Sequence, residues 1–229
     1  MAGRTELLQA QWAASCSRLK RILTALTDDE FFWEPCAGCW TVHRRTETRA
    51  ASADGCGEWV IDYVLPEPKP APVTTIAWRT VHVAACNYLY WDYAFGPATA
   101  SFDLEMPGNA SDAVDWLTAS QLPLTEALAT VTDTGLDDLR LTNWGERIPA
   151  SRVFTILINE QVHHGAEISL LRDLYRNRET LAGAPQVPPN APHGYGSRTS
   201  FHNLGRPCGQ QEGSERVGTV QELSGADPG

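Results

Sequence analysis

The chain has 229 residues, and its 28 acidic side chains against 18 basic ones give a formal net charge of −10. Nucleic acids and anionic membrane surfaces both attract clustered Lys and Arg, so this charge argues against either partner. Because 42% of the residues are hydrophobic, the apolar runs are much shorter than a membrane span and no signal pattern opens the chain, we expect a soluble cytoplasmic protein.

Apolar residues recurring at spacings of three and four predict four long helices. These helices lie at about 5–26, 73–95, 111–131 and 149–177. Thr27 and the acidic residues after it predict a short helix behind the first long one. The connection 33–70 is rich in Pro and Gly, and its segment 58–64 could form a short strand or one arm of a hairpin. The connection 133–149 is read as a loop with a turn.

Four long helices with a long connection between the first two predict an all-α protein built as a four-helix bundle. After Arg178 the periodicity ends, and Pro, Gly, Ser, Gln and Asn dominate the composition. We therefore expect one helical domain in 1–178 and a disordered, low-complexity tail in 179–229.

Two of the six cysteines, Cys36 and Cys39, form a C-x-x-C spacing. No strand precedes this pair and no helix clearly follows it, as a thioredoxin-like site requires. No second pair is present to complete a zinc ribbon. The sequence therefore favours ordinary thiols here over a redox or metal site.

The last predicted helix carries three chemically reactive side chains on one face. Glu160, His164 and Glu167 follow one another at spacings of four and three, which brings them to the same side of a helix. This side is also the apolar one, since Leu157 and Ile168 continue the spacing. Carboxylates and imidazoles are costly to bury without partners, and a metal ion would supply one.

His82 interrupts the apolar stripe of the helix predicted over 73–95 in the same way. With Glu160 and His164 it would form a set of two His and one carboxylate, as in catalytic zinc and non-haem iron sites. Taken singly, a core His or an acid–base pair that stabilises a helix explains each signal better. Their combination on two helices favours a metal site.

Three segments resemble the DinB-like superfamily: Phe32–Pro35 with the later Trp40, Thr75–His82 and Asn159–Glu167. That superfamily often has His-x-x-x-His where this chain has Glu160 and His164, and Gln where it has Glu167. The Glu-x-x-x-His variant resembles the branch of the mycothiol-dependent maleylpyruvate isomerases, whose metal is held by His, Glu and His. The resemblance covers roughly 5–177.

The resemblance implies an up-down-down-up bundle with a divalent metal at one end, held by His82, Glu160 and His164. Zinc is the first choice for this ligand set, and Ni²⁺, Fe²⁺ and Mn²⁺ are compatible with it. Family members with known activity use a low-molecular-weight thiol such as mycothiol, which attacks a small electrophile as a thiolate. Glu167 would orient a ligand or a bound water, and Arg79 could contact a substrate carboxylate.

Three functions remain open from the sequence. The first is a thiol-dependent S-transferase or isomerase. The second is a metal-dependent hydrolase with Glu167 as the base. The third is a bundle without catalytic activity, in which the polar residues hold a structural metal or form a buried hydrogen-bonded cluster. A homodimer through helix faces is compatible with all three.

Overall fold

The computed structural model describes residues 3–47 and 52–182. In chain order, the elements are α1 (Arg4–Ile22), α2 (Asp28–Phe31), β1 (Val42–Arg44), β2 (Ala53–Asp54), β3 (Trp59–Asp62), α3 (Ile76–Phe95), α4 (Ala110–Thr130), β4 (Leu139–Leu141), β5 (Arg147–Pro149), α5 (Ala150–Arg176) and α6 (Arg178–Ala182). Helix α1 packs on α5 and α4, and α3 packs on the same two helices. The protein is therefore mostly helical, whereas the up-down-down-up order stays a prediction.

The four long helices begin and end close to the predicted positions. Helix α1 ends at Ile22, about four residues earlier than predicted, and Ala25 then adopts a φ of 55° outside the helical region. The predicted cap of α2 is confirmed, since the Thr27 hydroxyl accepts a hydrogen bond from the Glu30 amide at 3.3 Å. The Thr75 hydroxyl caps α3 in the same way, through the Trp78 amide at 3.2 Å.

Two small sheets correct the prediction of an all-α protein. In the first, β3 lies between β1 and β2 in an antiparallel arrangement, so the strand predicted in 58–64 is confirmed and its two partners are new. In the second, β4 and β5 form a hairpin inside the connection predicted as a loop. Strands of two or three residues are too short to produce a recognisable alternation in the sequence.

Asp62, a buried residue of β3, joins the first sheet to α3 through its backbone carbonyl, while its carboxylate binds within the sheet region. Asp62 accepts a hydrogen bond from the Thr41 amide at 2.9 Å, and its other oxygen lies 2.9 Å from Nε2 of His43. The Asp62 carbonyl accepts a hydrogen bond from the indole Nε1 of Trp78 at 2.8 Å. These contacts fix the position of Trp78, whose ring stacks on that of His82 at a centroid distance of 4.7 Å.

A buried ion pair between Arg172 and Glu30 anchors the C-terminal part of α5. Arg172 binds Glu30 with two hydrogen bonds, Nε to Oε1 at 2.7 Å and Nη2 to Oε2 at 3.0 Å. Its remaining nitrogen donates to the carbonyls of Ile22, the last residue of α1, and of Thr24 just after it. Arg172 thereby joins α5 to the end of α1 and to α2.

The short helix α6 occupies the start of the segment predicted to be a disordered tail. The rest of that segment, 183–229, lies outside the described residues. Among the helices in the described part of the chain, none combines the length and the apolar character that crossing a membrane requires.

We expect Glu30→Ala to lower the free energy of unfolding by about 3 kcal/mol, because it leaves the guanidinium of Arg172 buried without a counter-charge. Urea unfolding followed by circular dichroism measures this change. Asp173→Asn is the matched control, since it removes an exposed pair with Arg176 at 3.7 Å and should change stability by less than about 0.5 kcal/mol. Equal effects of the two substitutions would contradict the structural role of Glu30.

Candidate metal centre

Three buried side chains converge where α3 packs on α5. His82 comes from α3, and Glu160 and His164 come from α5. The same Glu160 oxygen, Oε2, lies 3.4 Å from Nε2 of His82 and 3.2 Å from Nε2 of His164. One candidate ligand atom from each residue lies within 4.8 Å of the other two. The structure thus brings together the three ligands that the sequence analysis proposed.

The spacing of these atoms fits a divalent metal ion. Protein ligands lie about 2.0–2.2 Å from zinc, so two neighbouring ligands on one ion are separated by about 3–3.5 Å. The two nitrogen–oxygen distances at Glu160 fall in this range. Imidazole and carboxylate donors suit zinc and related ions. The residues present therefore fit a metal without a large rearrangement.

Glu167 contacts His164, one of the proposed ligands, at the ring nitrogen that faces away from Glu160. Its Oε2 lies 2.7 Å from Nδ1 of His164, and Arg79 of α3 makes a short contact with the same oxygen. Because Nε2 of His164 faces Glu160, a metal on Nε2 would leave the imidazole proton on Nδ1, which would then donate a hydrogen bond to Glu167. A carboxylate in this position fixes the ring orientation of a metal-binding His.

A second group of potential ligands consists of His163, His164 and Glu167. The positive charge of Arg79 lies next to this group. His163 lies 3.2 Å from Glu167 through Nε2 and Oε1, and with His164 these residues form a more exposed set on α5 alone. The Arg79 guanidinium lies 2.9 Å from Nδ1 of His164 and also contacts Glu167. This positive charge is close to where an ion bound by the second group would sit. The geometry therefore favours the His82, Glu160 and His164 group.

The charges within the centre are set by burial and by mutual hydrogen bonds. Burial acts to raise the pKa of Glu160, but hydrogen bonds from His164 and His82 outweigh it and lower that pKa to about 2. Burial lowers the pKa of His82, which favours the neutral imidazole. For His164, hydrogen bonds to Glu160 and Glu167 overcome the opposing effect of burial and raise the pKa. A proton and a metal ion therefore compete for His164.

The structure also gives contacts between site residues that the sequence could not show. Arg79 precedes His82 by three residues and so lies on the same side of α3, and its guanidinium contacts Glu167. Its partner Glu167 could not be identified, because the pairing depends on how α3 and α5 are rotated against each other. A contact of Arg79 with a substrate carboxylate stays a prediction. Cys86 is a further neighbour of the centre: it is buried, and its sulfur lies 3.6 Å from Nε2 of His82.

Comparison with known proteins gives a family and a distant structural likeness. The family model of the DinB superfamily matches residues 11–168, well over half of the chain and all three proposed ligands. A crystal structure of a DinB-like protein from Bacillus cereus ATCC 10987 is similar, with 18% identity, a TM-score of 0.49, and coverage of 79% of this chain and 95% of that one. No curated protein matches the chain. The superfamily resemblance is thus confirmed, while the mycothiol-dependent branch stays a prediction.

We expect His164→Ala to lose the bound divalent ion while far-UV circular dichroism shows most of the helicity retained, because the substitution removes one of three donors. Metal content per chain is measured by mass spectrometry on protein purified without a metal-binding tag. His163→Ala is the matched control and should keep its ion. Loss of the ion in His163→Ala but not in His164→Ala would assign the metal to neither proposed group, and loss in both would assign it to the second.

Metal affinity should fall as the pH decreases through the pKa of His164, because the proton and the ion occupy the same imidazole. Since Glu160 and Glu167 raise this pKa, the decline should begin at a higher pH than for an ordinary His. Glu167→Gln should weaken binding by about 10- to 100-fold and move the decline to lower pH. Calorimetric titration with Zn²⁺ across pH measures both effects. An unchanged pH profile in Glu167→Gln would contradict the role of Glu167.

Proposed function

The chain belongs to the DinB superfamily, and we propose that it is a divalent-metal-dependent enzyme whose ligands are His82, Glu160 and His164. In this proposal the enzyme uses a low-molecular-weight thiol such as mycothiol to attack a small electrophile, as an S-transferase or isomerase. The observation that carries the proposal is the convergence of three donors from two helices on one buried point. Zinc is the first choice of metal, with Ni²⁺, Fe²⁺ and Mn²⁺ as alternatives.

The number and charge of the donors favour an anionic co-substrate. Three protein ligands leave coordination positions open, as in catalytic rather than structural sites. Two neutral imidazoles and one carboxylate neutralise only half of the charge of a divalent ion, and this deficit is strongly felt in a buried site. A bound ion would supply a Lewis acid that lowers the pKa of a coordinated thiol.

The other residues around the centre have supporting roles. Glu167 holds the proton on Nδ1 of His164, and Arg79 holds Glu167 through its guanidinium. Trp78 stacks on His82 and keeps water from that face of the ring. The side chains of His163 and Glu167 are 37% and 27% exposed, so the centre borders solvent on this side. We place substrate entry here, next to Arg79, which suits a substrate that carries a carboxylate.

Both thiol-dependent reactions balance without a further reagent. In transfer, the thiolate sulfur forms a bond to carbon and a leaving group departs with the electron pair. In isomerisation, the sulfur adds to a carbon–carbon double bond, the resulting single bond rotates, and the sulfur leaves again. Arg79 would hold a substrate carboxylate during either reaction.

A hydrolase that uses Glu167 as its base is less compatible with the geometry. The Glu167 carboxylate is already engaged by His164 and Arg79. Although burial acts to raise its pKa, the hydrogen bond from His164 and the charge of Arg79 lower it. A carboxylate with a lowered pKa is a weak general base at neutral pH. This contact pattern favours thiol chemistry over activation of water by Glu167.

We expect the zinc-loaded protein to consume 1-chloro-2,4-dinitrobenzene, or another small electrophile, at a rate that saturates with added mycothiol. The absorbance of the thioether product measures the rate. His164→Ala should lose this activity, and His163→Ala should retain most of it. Ester hydrolysis that is independent of thiol would instead support the hydrolase. A stoichiometric ion without either activity would support a bundle that binds metal without catalysis.

A further inference from the structure

The C-x-x-C segment between α2 and β1 brings two sulfur atoms into contact. Sγ of Cys36 and Sγ of Cys39 are 3.5 Å apart, and Cys39 also donates a hydrogen bond to the Cys36 carbonyl at 2.9 Å. Gly38 between them has a φ of +79°, a conformation that favours glycine and turns the chain back on itself. The turn thus places the two thiols almost within bonding reach.

The two thiols differ in their access to solvent. Cys36 is exposed, whereas Cys39 is only 3% exposed. Burial raises the pKa of the Cys39 thiol to about 11, which keeps it protonated towards reagents in solution. An external reagent therefore meets Cys36 first and leaves Cys39 as the internal partner.

The surrounding backbone holds Cys39 and leaves room around the turn. Trp40, next in the chain, donates its amide to the Val73 carbonyl at 2.9 Å and accepts from the Thr75 amide at 3.0 Å, which ties this end to the start of α3. A Cβ added at Gly38 would meet no atom within 4 Å. A small movement of the Cys36 side of the turn can therefore close the gap between the sulfurs.

A metal site is a poorer explanation of this pair. Throughout residues 3–47 and 52–182, no third His, Cys, Asp or Glu comes close enough to complete a metal-binding group with Cys36 and Cys39. The strand and helix that flank the cysteines of a thioredoxin-like site are missing here, which on sequence alone favours ordinary thiols. The contact between the two sulfurs and their unequal exposure nevertheless favour redox chemistry, in a local fold that differs from that of thioredoxin.

We propose that Cys36 and Cys39 form a reversible thiol–disulfide exchange site that reacts with low-molecular-weight disulfides. The site lies in the connection before β1, and the proposal does not depend on the function of the metal centre.

The exchange takes place in two balanced steps. The Cys36 thiolate, after losing its proton to water, attacks one sulfur of the small disulfide, forms a mixed disulfide and releases the first small thiolate. The Cys39 thiol then gives its proton to the released small thiolate, and its sulfur attacks the Cys36 sulfur, forms the Cys36–Cys39 bond and releases the second small thiolate. The two cysteines lose two electrons, and the small disulfide gains them and becomes two thiols once the thiolates take up protons.

Oxidised glutathione is the probe that tests this proposal on the full chain. After incubation, free thiols are alkylated and the protein is digested with trypsin, which cuts after Arg21 and Arg44 and yields a peptide 22–44 with no other cysteine. We expect most of this peptide to contain the Cys36–Cys39 disulfide. Its mass should show the loss of two hydrogen atoms, with neither an alkyl group nor glutathione attached. Adding reduced dithiothreitol should restore the dialkylated form.

Single variants distinguish exchange from simple modification of an exposed thiol. Cys39→Ser should stop at a glutathione adduct on Cys36, and Cys36→Ser should leave Cys39 as a free thiol. Cys56, exposed and located in a separate tryptic peptide, is the internal control and should stop at its own glutathione adduct. If wild-type Cys36 also stops at the adduct to the same extent as in Cys39→Ser, the proposal is overturned.

Discussion

The Glu160 carboxylate is buried where α3 packs on α5, and its need for polar partners governs how these two helices meet. A carboxylate removed from water is strongly destabilising unless charged or hydrogen-bonding groups surround it. His82 and His164 approach the same oxygen from the two helices, at 3.4 and 3.2 Å. The His164 contact lies within α5, whereas the His82 contact crosses from α3, so the latter restricts the separation and rotation of the two helices at this point.

Two further buried systems maintain that relation between the helices. On the α3 side, Asp62 joins the three-stranded sheet to Trp78, whose ring supports His82. On the α5 side, the pair of Arg172 and Glu30 fastens the helix to the segment after α1. The small sheet is therefore part of the support of the candidate metal centre.

The long helices and the three proposed ligands could be predicted because both depend on local spacing. The periodicity of apolar residues sets the helices, and Glu160 and His164 four residues apart share a helix face. The sheets could not be predicted, since their strands have two to four residues and are stabilised by pairing with distant segments. The contact of Arg79 with Glu167 was missed for the same reason, because it joins residues of two helices.

The two ring nitrogens of His164 lie in different electrostatic surroundings. Nε2 faces the buried Glu160, whereas Nδ1 faces Glu167, which is partly exposed and held by Arg79. A metal on Nδ1 would meet the positive charge of Arg79, and a metal on Nε2 meets the carboxylate of Glu160 instead. Electrostatics therefore favours Nε2 of His164 over Nδ1 as the donor to a metal ion, with Glu167 and Arg79 on the solvent side of the ring. The same contact that orients the ring thus also selects one of two possible metal groups.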